Sequence, residues 1–270
     1  MILKINQNIE NIDEYFEQFH LSSNRKKLLD LKEEDDGTII SYKSFNDVIP
    51  YDEKIDIVFE DEHILAINKK RGVLIHPSTI EEQNTLVNMV KAYYVKTKQD
   101  VDILYIGRLD LNTTGLVIFA KDILTHAYLS YLVENNELHR EYLAIAKNRF
   151  KEMEGVIDKP IGRDRHNAKK MRISKTGKTS ITKYAVIKKI DNNISLLKLN
   201  LVTGRTHQIR LHLSSINHPL LGDDLYDQND DKKHQLMLHS SNIRFVLPFT
   251  DKKYYIEAPL PLEFKKIARF

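Results

Sequence analysis

Arg108 and Asp110 stand one residue apart in the stretch Ile106-Gly-Arg-Leu-Asp-Leu-Asn-Thr-Thr-Gly-Leu-Val-Ile-Phe-Ala-Lys121. One apolar run, 103–106, leads in and another, 116–120, leads out, with turn formers at 112–115 between them. The pattern predicts a strand, a loop and a strand. On an extended chain the two side chains would share a face. A carboxylate between two buried strands costs free energy unless it has a partner or a task. Asp110 could be a nucleophile or base, or one half of a structural ion pair. Locally, the ion pair is the more ordinary reading.

Reactive residue types gather again in Val202-Thr-Gly-Arg-Thr-His-Gln-Ile-Arg-Leu-His-Leu213. A helix predicted from about Thr206 would collect free N–H groups and a positive dipole end beside Arg205 and His207, with Arg210 one turn further in. Such a place suits a phosphate or a partner carboxylate, although plain capping with surface arginines gives the same pattern. His207 and His212 lie five residues apart, a spacing that does not align them on a helix, so no metal pair is expected. The segment 162–172 holds Arg163, Lys169, Lys170 and Arg172 among few apolar residues. It reads as a sequence-blind phosphate contact or as a solvent loop. Tyr142, heading a predicted strand, reads on its own as a core tyrosine.

Composition narrows the chemistry. The chain has 270 residues and no cysteine, which excludes disulfides, thiolate catalysis and the usual structural zinc. It contains no Gly-rich phosphate loop, His-Glu-x-x-His, EF-hand loop or Gly-x-Ser-x-Gly elbow, so neither metal nor cofactor is expected. No apolar run reaches membrane-spanning length and the opening residues do not form a signal peptide, so a soluble cytoplasmic protein is expected, and a monomer is its expected state. Residues 1–50 carry 6 Lys/Arg against 10 Asp/Glu, whereas residues 140–215 carry 18 against 6. A basic middle in a near-neutral chain is the footprint of a polyanion-binding face, or of a solvated lysine-rich surface.

The elements that must position these residues follow from periodicity. Residues 1–50 read as a small N-terminal unit with helices over 9–19 and 22–32, a turn at 35–37 and a strand over 38–42. The main domain, 51–270, opens with a hairpin of strands 55–60 and 64–68. Helices are predicted over 86–94, 124–133 and 205–216 and from 262. Further strands are predicted over 142–146, 179–190, 194–202, 236–238, 243–246 and 254–258, with 155–178 an extended basic loop or loose hairpin. Many hairpins and few helices predict an α+β fold. Its mixed, mostly antiparallel sheet would be flanked by helices and loops.

Taken together, these stretches resemble the RluA-type RNA pseudouridine synthase family over roughly residues 50–265. The motifs stand in order: Gly72-Val-Leu-Ile-His-Pro77, Arg108-Leu-Asp110 with Thr113-Thr-Gly-Leu116, Arg140-Glu-Tyr142, Pro160-Ile-Gly-Arg-Asp164, Thr203-Gly-Arg-Thr-His-Gln-Ile-Arg-Leu-His212, His218-Pro-Leu-Leu-Gly-Asp223 with Tyr226, and Leu238-His239 leading to Pro248. The resemblance implies the pseudouridine synthase fold and cofactor-free isomerisation of specific uridines in structured RNA, with ribosomal RNA favoured over transfer RNA. It implies Asp110 as the essential aspartate, Tyr142 under the target base, and Arg210, rather than adjacent Arg108, as the partner of Asp110. Arg108 would help occupy the space left by the flipped nucleotide, with Arg205 and His207 as substrate-binding neighbours. Arg163, Lys169, Lys170 and Arg172 would hold phosphates.

The family usually has His before Arg-Leu-Asp. Here Gly107 stands in its place, as in the small-subunit branch, whereas Gln208-Ile-Arg210 is typical of the RluA branch. Many relatives carry an S4-like RNA-binding domain ahead of the synthase. Residues 1–50 read either as a degenerate S4-like domain or as a cap. A non-catalytic RNA-binding protein that keeps the fold is the alternative function, and the intact Asp110, Tyr142 and Arg210 argue against it. A glycoside hydrolase would need a second carboxylate at a defined separation, and the sequence offers no good candidate.

Overall fold

The computed structural model describes every residue except 6–8, 10, 35, 36, 78, 80, 230–232 and 251. The N-terminal unit runs β1 (Ile2–Ile5), α1 (Ile12–Glu17), α2 (Ser23–Lys26), β2 (Asp30–Glu34) and β3 (Gly37–Ser41), in the antiparallel order β1-β3-β2. The helix expected over 22–32 stops at Lys26, and Asp30 to Glu34 pair with β3 instead. A helix this short is marginal by itself, and the strand ladder satisfies the same backbone groups. The charged side chains of β2 face solvent along a sheet edge, where charge discourages further pairing. The opening strand β1 was not foreseen, and residues 35 and 36 of the expected turn lie outside the described residues.

The main domain continues with β4 (Ile57–Glu60), β5 (Ile64–Lys69), α3 (Leu86–Lys96), β6 (Leu104–Ile106), β7 (Thr114–Ala120), α4 (Ile123–Glu134), β8 (His139–Lys147) and β9 (Glu154–Asp158). Then come β10 (Ile161–Arg163), β11 (Met171–Ile173), β12 (Ile181–Lys189), β13 (Ile194–Leu201), α5 (Gln208–Ser214), β14 (Leu238–Leu247), β15 (Lys252–Glu257) and α6 (Leu262–Ala268). Among the described residues ten strands form one sheet in the order β4-β5-β7-β14-β8-β13-β12-β9, with β15 beside β14 and β6 beside β7. Among the described residues only the β7–β14 pair is parallel, so the mixed, mostly antiparallel α+β expectation holds. The strands expected over 236–238 and 243–246 are one strand, β14. Its polar centre hides the continuity, because a register shift between Ser240 and Asn242 breaks the period of two.

Alternation sorts the core. Ile64, Ala66, Leu116 and Ile118 face α4, while Leu65, Ile67, Val117 and Phe119 face α3. In the other half, Tyr142, Ala144 and Leu199 pack against Ile209 and Leu213 of α5, and Ile145 and Leu196 pack against Phe264 of α6. Each fully buried Val, Leu, Ile or Phe among them contributes about 1.5–3 kcal/mol. The N-terminal unit shares a core with α4 through Phe16, Phe19, Ile40 and Tyr42 against Ile123, Leu124 and Ala127. Buried Asp102 ties the two together, accepting hydrogen bonds from the Tyr42 hydroxyl at 2.7 Å and the Phe45 N–H at 2.7 Å. Among the described residues, no helix is long and apolar enough to cross a membrane.

Candidate active site

A single cross-strand row locates the site. Gly115 of β7 lies opposite Ser240 of β14, and Ser240 lies opposite Tyr142 of β8. A Cβ on Gly115, where φ is +105°, would come 2.1 Å from the Ser240 carbonyl oxygen, so only glycine permits this backbone approach. The 107–113 loop leads into β7 and carries Asp110, whose carbonyl accepts from the Thr113 N–H at 3.1 Å. Lys69, buried at the end of β5, holds this loop. Its ammonium donates to the carbonyls of Lys70 at 3.0 Å, Val73 at 2.9 Å and Leu111 at 3.1 Å. Burial lowers the Lys69 pKa to about 8, with the charge of Asp110 pulling the other way.

The facing wall is the turn into α5. The helix expected over 205–216 begins only at Gln208, because the buried Gln208 side chain organises the turn before it. Its Oε1 accepts from the Thr203 hydroxyl at 2.9 Å and the Arg205 N–H at 3.0 Å, and its Nε2 donates to the Ile181 carbonyl at 3.0 Å. The Arg205 N–H expected to await an anion is therefore already used. His207 sits in the left-handed region at φ 56°, uncommon for a residue with a Cβ.

Between these walls opens a cleft of about 430 Å³, of small-molecule size. Asp110, Tyr142, Arg210, Arg108, Arg205 and His207 all line it. Arg210 is held at its floor by Asp223, with Nε at 2.9 Å and Nη2 at 2.7 Å from the two carboxylate oxygens. Its Nη1 is 3.6 Å from Asp110 Oδ2. Arg210 thus reaches Asp110 as expected, but its principal partner is Asp223, whose side chain is fully buried. Burial works to lower the Arg210 pKa, yet the hydrogen bonds and charge of Asp223, followed by Asp110, raise it, so the guanidinium is a permanent cation. His207 Nε2 lies 3.8 Å from Asp110 Oδ1, and Nδ1 lies 2.9 Å from the Tyr226 hydroxyl. Burial lowers the His207 pKa against the pull of Asp110, so the ring is neutral near pH 7. Burial raises the Tyr142 pKa, so its phenol stays protonated.

Arg108 and Arg205 are exposed at the rim. Arg163, Lys169, Lys170 and Arg172 do not line the cleft. They lie on the β10–β11 hairpin and its connecting loop. Tyr226 joins this hairpin to the floor: its hydroxyl accepts from the Met171 N–H at 2.8 Å, and its ring lies 5.9 Å from Lys170 Nζ and 5.4 Å from the Arg210 guanidinium. Asp223 and Tyr226 were visible as a motif without a role, and Lys69 was missed altogether. His212 is a packing residue, with Nδ1 2.9 Å from the Thr182 hydroxyl and Nε2 2.9 Å from the Lys159 carbonyl.

A family profile described as RNA pseudouridylate synthase matches residues 63–215. An RNA pseudouridine synthase of Bacillus subtilis, YhcT, is 39% identical over 223 residues, covering 82% of this chain and 74% of that protein. The chain belongs to the RNA pseudouridine synthase family. It is therefore an isomerase acting on RNA uridine. The ribosomal large subunit pseudouridine synthase D of Zymomonas mobilis is a more distant relative, 34% identical over 227 residues, 78% of this chain and 71% of that one. The solved human RNA pseudouridylate synthase domain containing 1 superposes with a TM-score of 0.65 at 24% identity, over 77% of this chain and 84% of its own, which shows the common fold. The cleft offers a carboxylate, a phenol and several guanidinium groups at one place.

Proposed function

We propose that this synthase isomerises specific uridines of structured RNA, ribosomal RNA before transfer RNA, with Asp110 as the attacking or proton-abstracting group and no cofactor. The reaction breaks the C1′–N1 bond and forms a C1′–C5 bond between the same two pieces. The hydrogen leaving C5 is balanced by one gained at N1, so no oxidant or energy source is consumed. The observation that carries the reading is Asp110 at the cleft, partly exposed and 3.6 Å from buried Arg210. A fixed cation favours the charged carboxylate, and the open side leaves room for a ribose or base. Tyr142 lies beneath the extruded uracil, Arg108 takes the place it vacated, and Arg205 with His207 binds the flanking nucleotides. Arg163, Lys169, Lys170 and Arg172 hold phosphates outside the cleft and help offset the few kcal/mol of unstacking. The name of the Zymomonas relative supports ribosomal RNA as the substrate. Residues 1–50 serve as an appended unit of degenerate S4 type, on a chain that works as a cytoplasmic monomer.

The test is conversion of bulk RNA from a strain lacking the gene, using purified wild type and Asp110→Asn. Wild type should form pseudouridine and the variant should lose at least a thousandfold in rate. Equal conversion by both would overturn the role of Asp110. RNA binding without conversion of any transcript would favour a non-catalytic RNA-binding protein.

A further inference from the structure

Arg140 is a cleft residue whose Nε, among the described residues, is buried without an acceptor. It lies on β8, two positions before Tyr142, so both side chains leave the strand on one face, and both line the cleft. Of the other cleft arginines, the deeper Arg210 is bound by Asp223, and rim Arg205 donates to the Thr179 carbonyl at 3.2 Å. Neighbouring Glu141 is drawn to Lys198 at 3.0 Å and Arg244 at 3.7 Å. Among the described residues the buried Arg140 Nε has no acceptor. A buried donor left in that condition costs stability unless a ligand completes it.

Two glycines flank the guanidinium. A Cβ built on Gly204 would stand 3.1 Å from Nη1 and 3.3 Å from Nη2, and one built on Gly107 would stand 3.8 Å from Nη1. A side chain at 204 would crowd the group, and one at 107 would stand in van der Waals contact with it. Gly107, at φ +70°, is the departure noted in the sequence, and it leaves this edge of the cleft open.

We propose that Arg140 is the phosphate grip of the cleft, binding a backbone phosphate adjacent to the extruded uridine, with Gly107 and Gly204 keeping the path to it clear. This rests on the RNA reading above. An extruded nucleotide brings its 5′ and 3′ phosphates with it, and a planar guanidinium fork matches two phosphate oxygens in a way that lysine cannot.

The experiment uses RNA oligonucleotides spanning a target uridine mapped on bulk RNA, with either flanking phosphate replaced by a neutral methylphosphonate. Arg140→Gln should raise KM about tenfold to a hundredfold while kcat stays within about threefold, and Arg140→Lys should recover part of the loss. Neutralising one of the two phosphates should cost wild type a similar factor and cost Arg140→Gln nothing further. Gly204→Ala, which keeps the charge but presses on it, should raise KM in the same direction, and it carries the test if Arg140→Gln fails to fold. An unchanged KM in the folded variants, or losses from the two changes that multiply in full, would overturn the grip. Full multiplication would assign Arg140 to the uracil or to packing. Wild type that converts no RNA at all would instead overturn the functional reading on which the grip depends.

Discussion

The floor of the cleft and the basic hairpin beside it both present cations, and they hold them in opposite ways. At the floor, Arg210 is 6% exposed and fixed by two hydrogen bonds to a fully buried aspartate. On the hairpin, Arg163, Lys169 and Arg172 are exposed, and Arg172 bonds only weakly to the Arg163 carbonyl at 3.4 Å. A buried ion pair adds little net stability, but it is costly to break and it fixes a charge in space. Exposed cations are screened by salt and free to follow an irregular polyanion. The floor therefore fixes its charge in place while the hairpin leaves its charges free, the division that the proposed roles of positioning and adhesion require, and Tyr226 contacts both.

The largest effect that separates the two regions should come from Asp223→Ala. It strands Arg210 in the interior, and denaturant unfolding should show a loss of ~3–5 kcal/mol together with lost conversion. Wild-type stability in that variant would mean the pair does not build the floor. Lys69→Met comes next. It removes three hydrogen bonds, two to the 70–73 turn and one to Leu111 of the Asp110 loop, so we expect ~1–3 kcal/mol lower stability and a fall in kcat larger than any change in KM.

Acid should act on the interior as well. Burial lowers the pKa of His207 and His212, and takes those of His126 and His239 down to about 4. Below about pH 6.5 the unfolded chain binds protons that the native state refuses, so their contribution is complete above that pH and is lost as pH falls toward 4. His126 and His239 should each remove up to ~1.4 kcal/mol per pH unit in that window, with His207 and His212 adding in the same direction, measured as a falling unfolding midpoint. A flat midpoint from pH 6.5 to 4 would contradict the buried neutral rings. The smallest effect on stability belongs to the hairpin. Replacing Lys169, Lys170 and Arg172 by Gln should leave unfolding within about 0.5 kcal/mol of wild type, yet flatten the salt dependence of RNA affinity by a slope of about two. An unchanged slope would make the hairpin a bystander.

The same contrast explains what the sequence made legible. Continuous apolar runs in β5 and β7 announced strands buried on both faces, and the turn formers between 106 and 116 announced the loop that carries Asp110. The run of basic residues marked the hairpin, because exposed charge follows composition. The supports of the floor were harder to read. Lys69 sits in Lys69-Lys-Arg71 and looks like a solvated cluster, but its place at a strand end lets three carbonyls converge on it. Asp223 and Asp224 are adjacent, and nothing in their order says which one meets Arg210 in the interior. Short polar β2 and the broken centre of β14 were obscured because pairing partners, not local propensity, decide them.

The claim on which this account turns is that Asp110, fixed by the floor, does the chemistry. It is tested most directly by mapping pseudouridines in ribosomal and transfer RNA from a strain lacking the gene, complemented with wild type or with Asp110→Asn. The account predicts specific positions that appear with wild type and stay absent with the variant at equal protein level. Restoration of those positions by Asp110→Asn would contradict it.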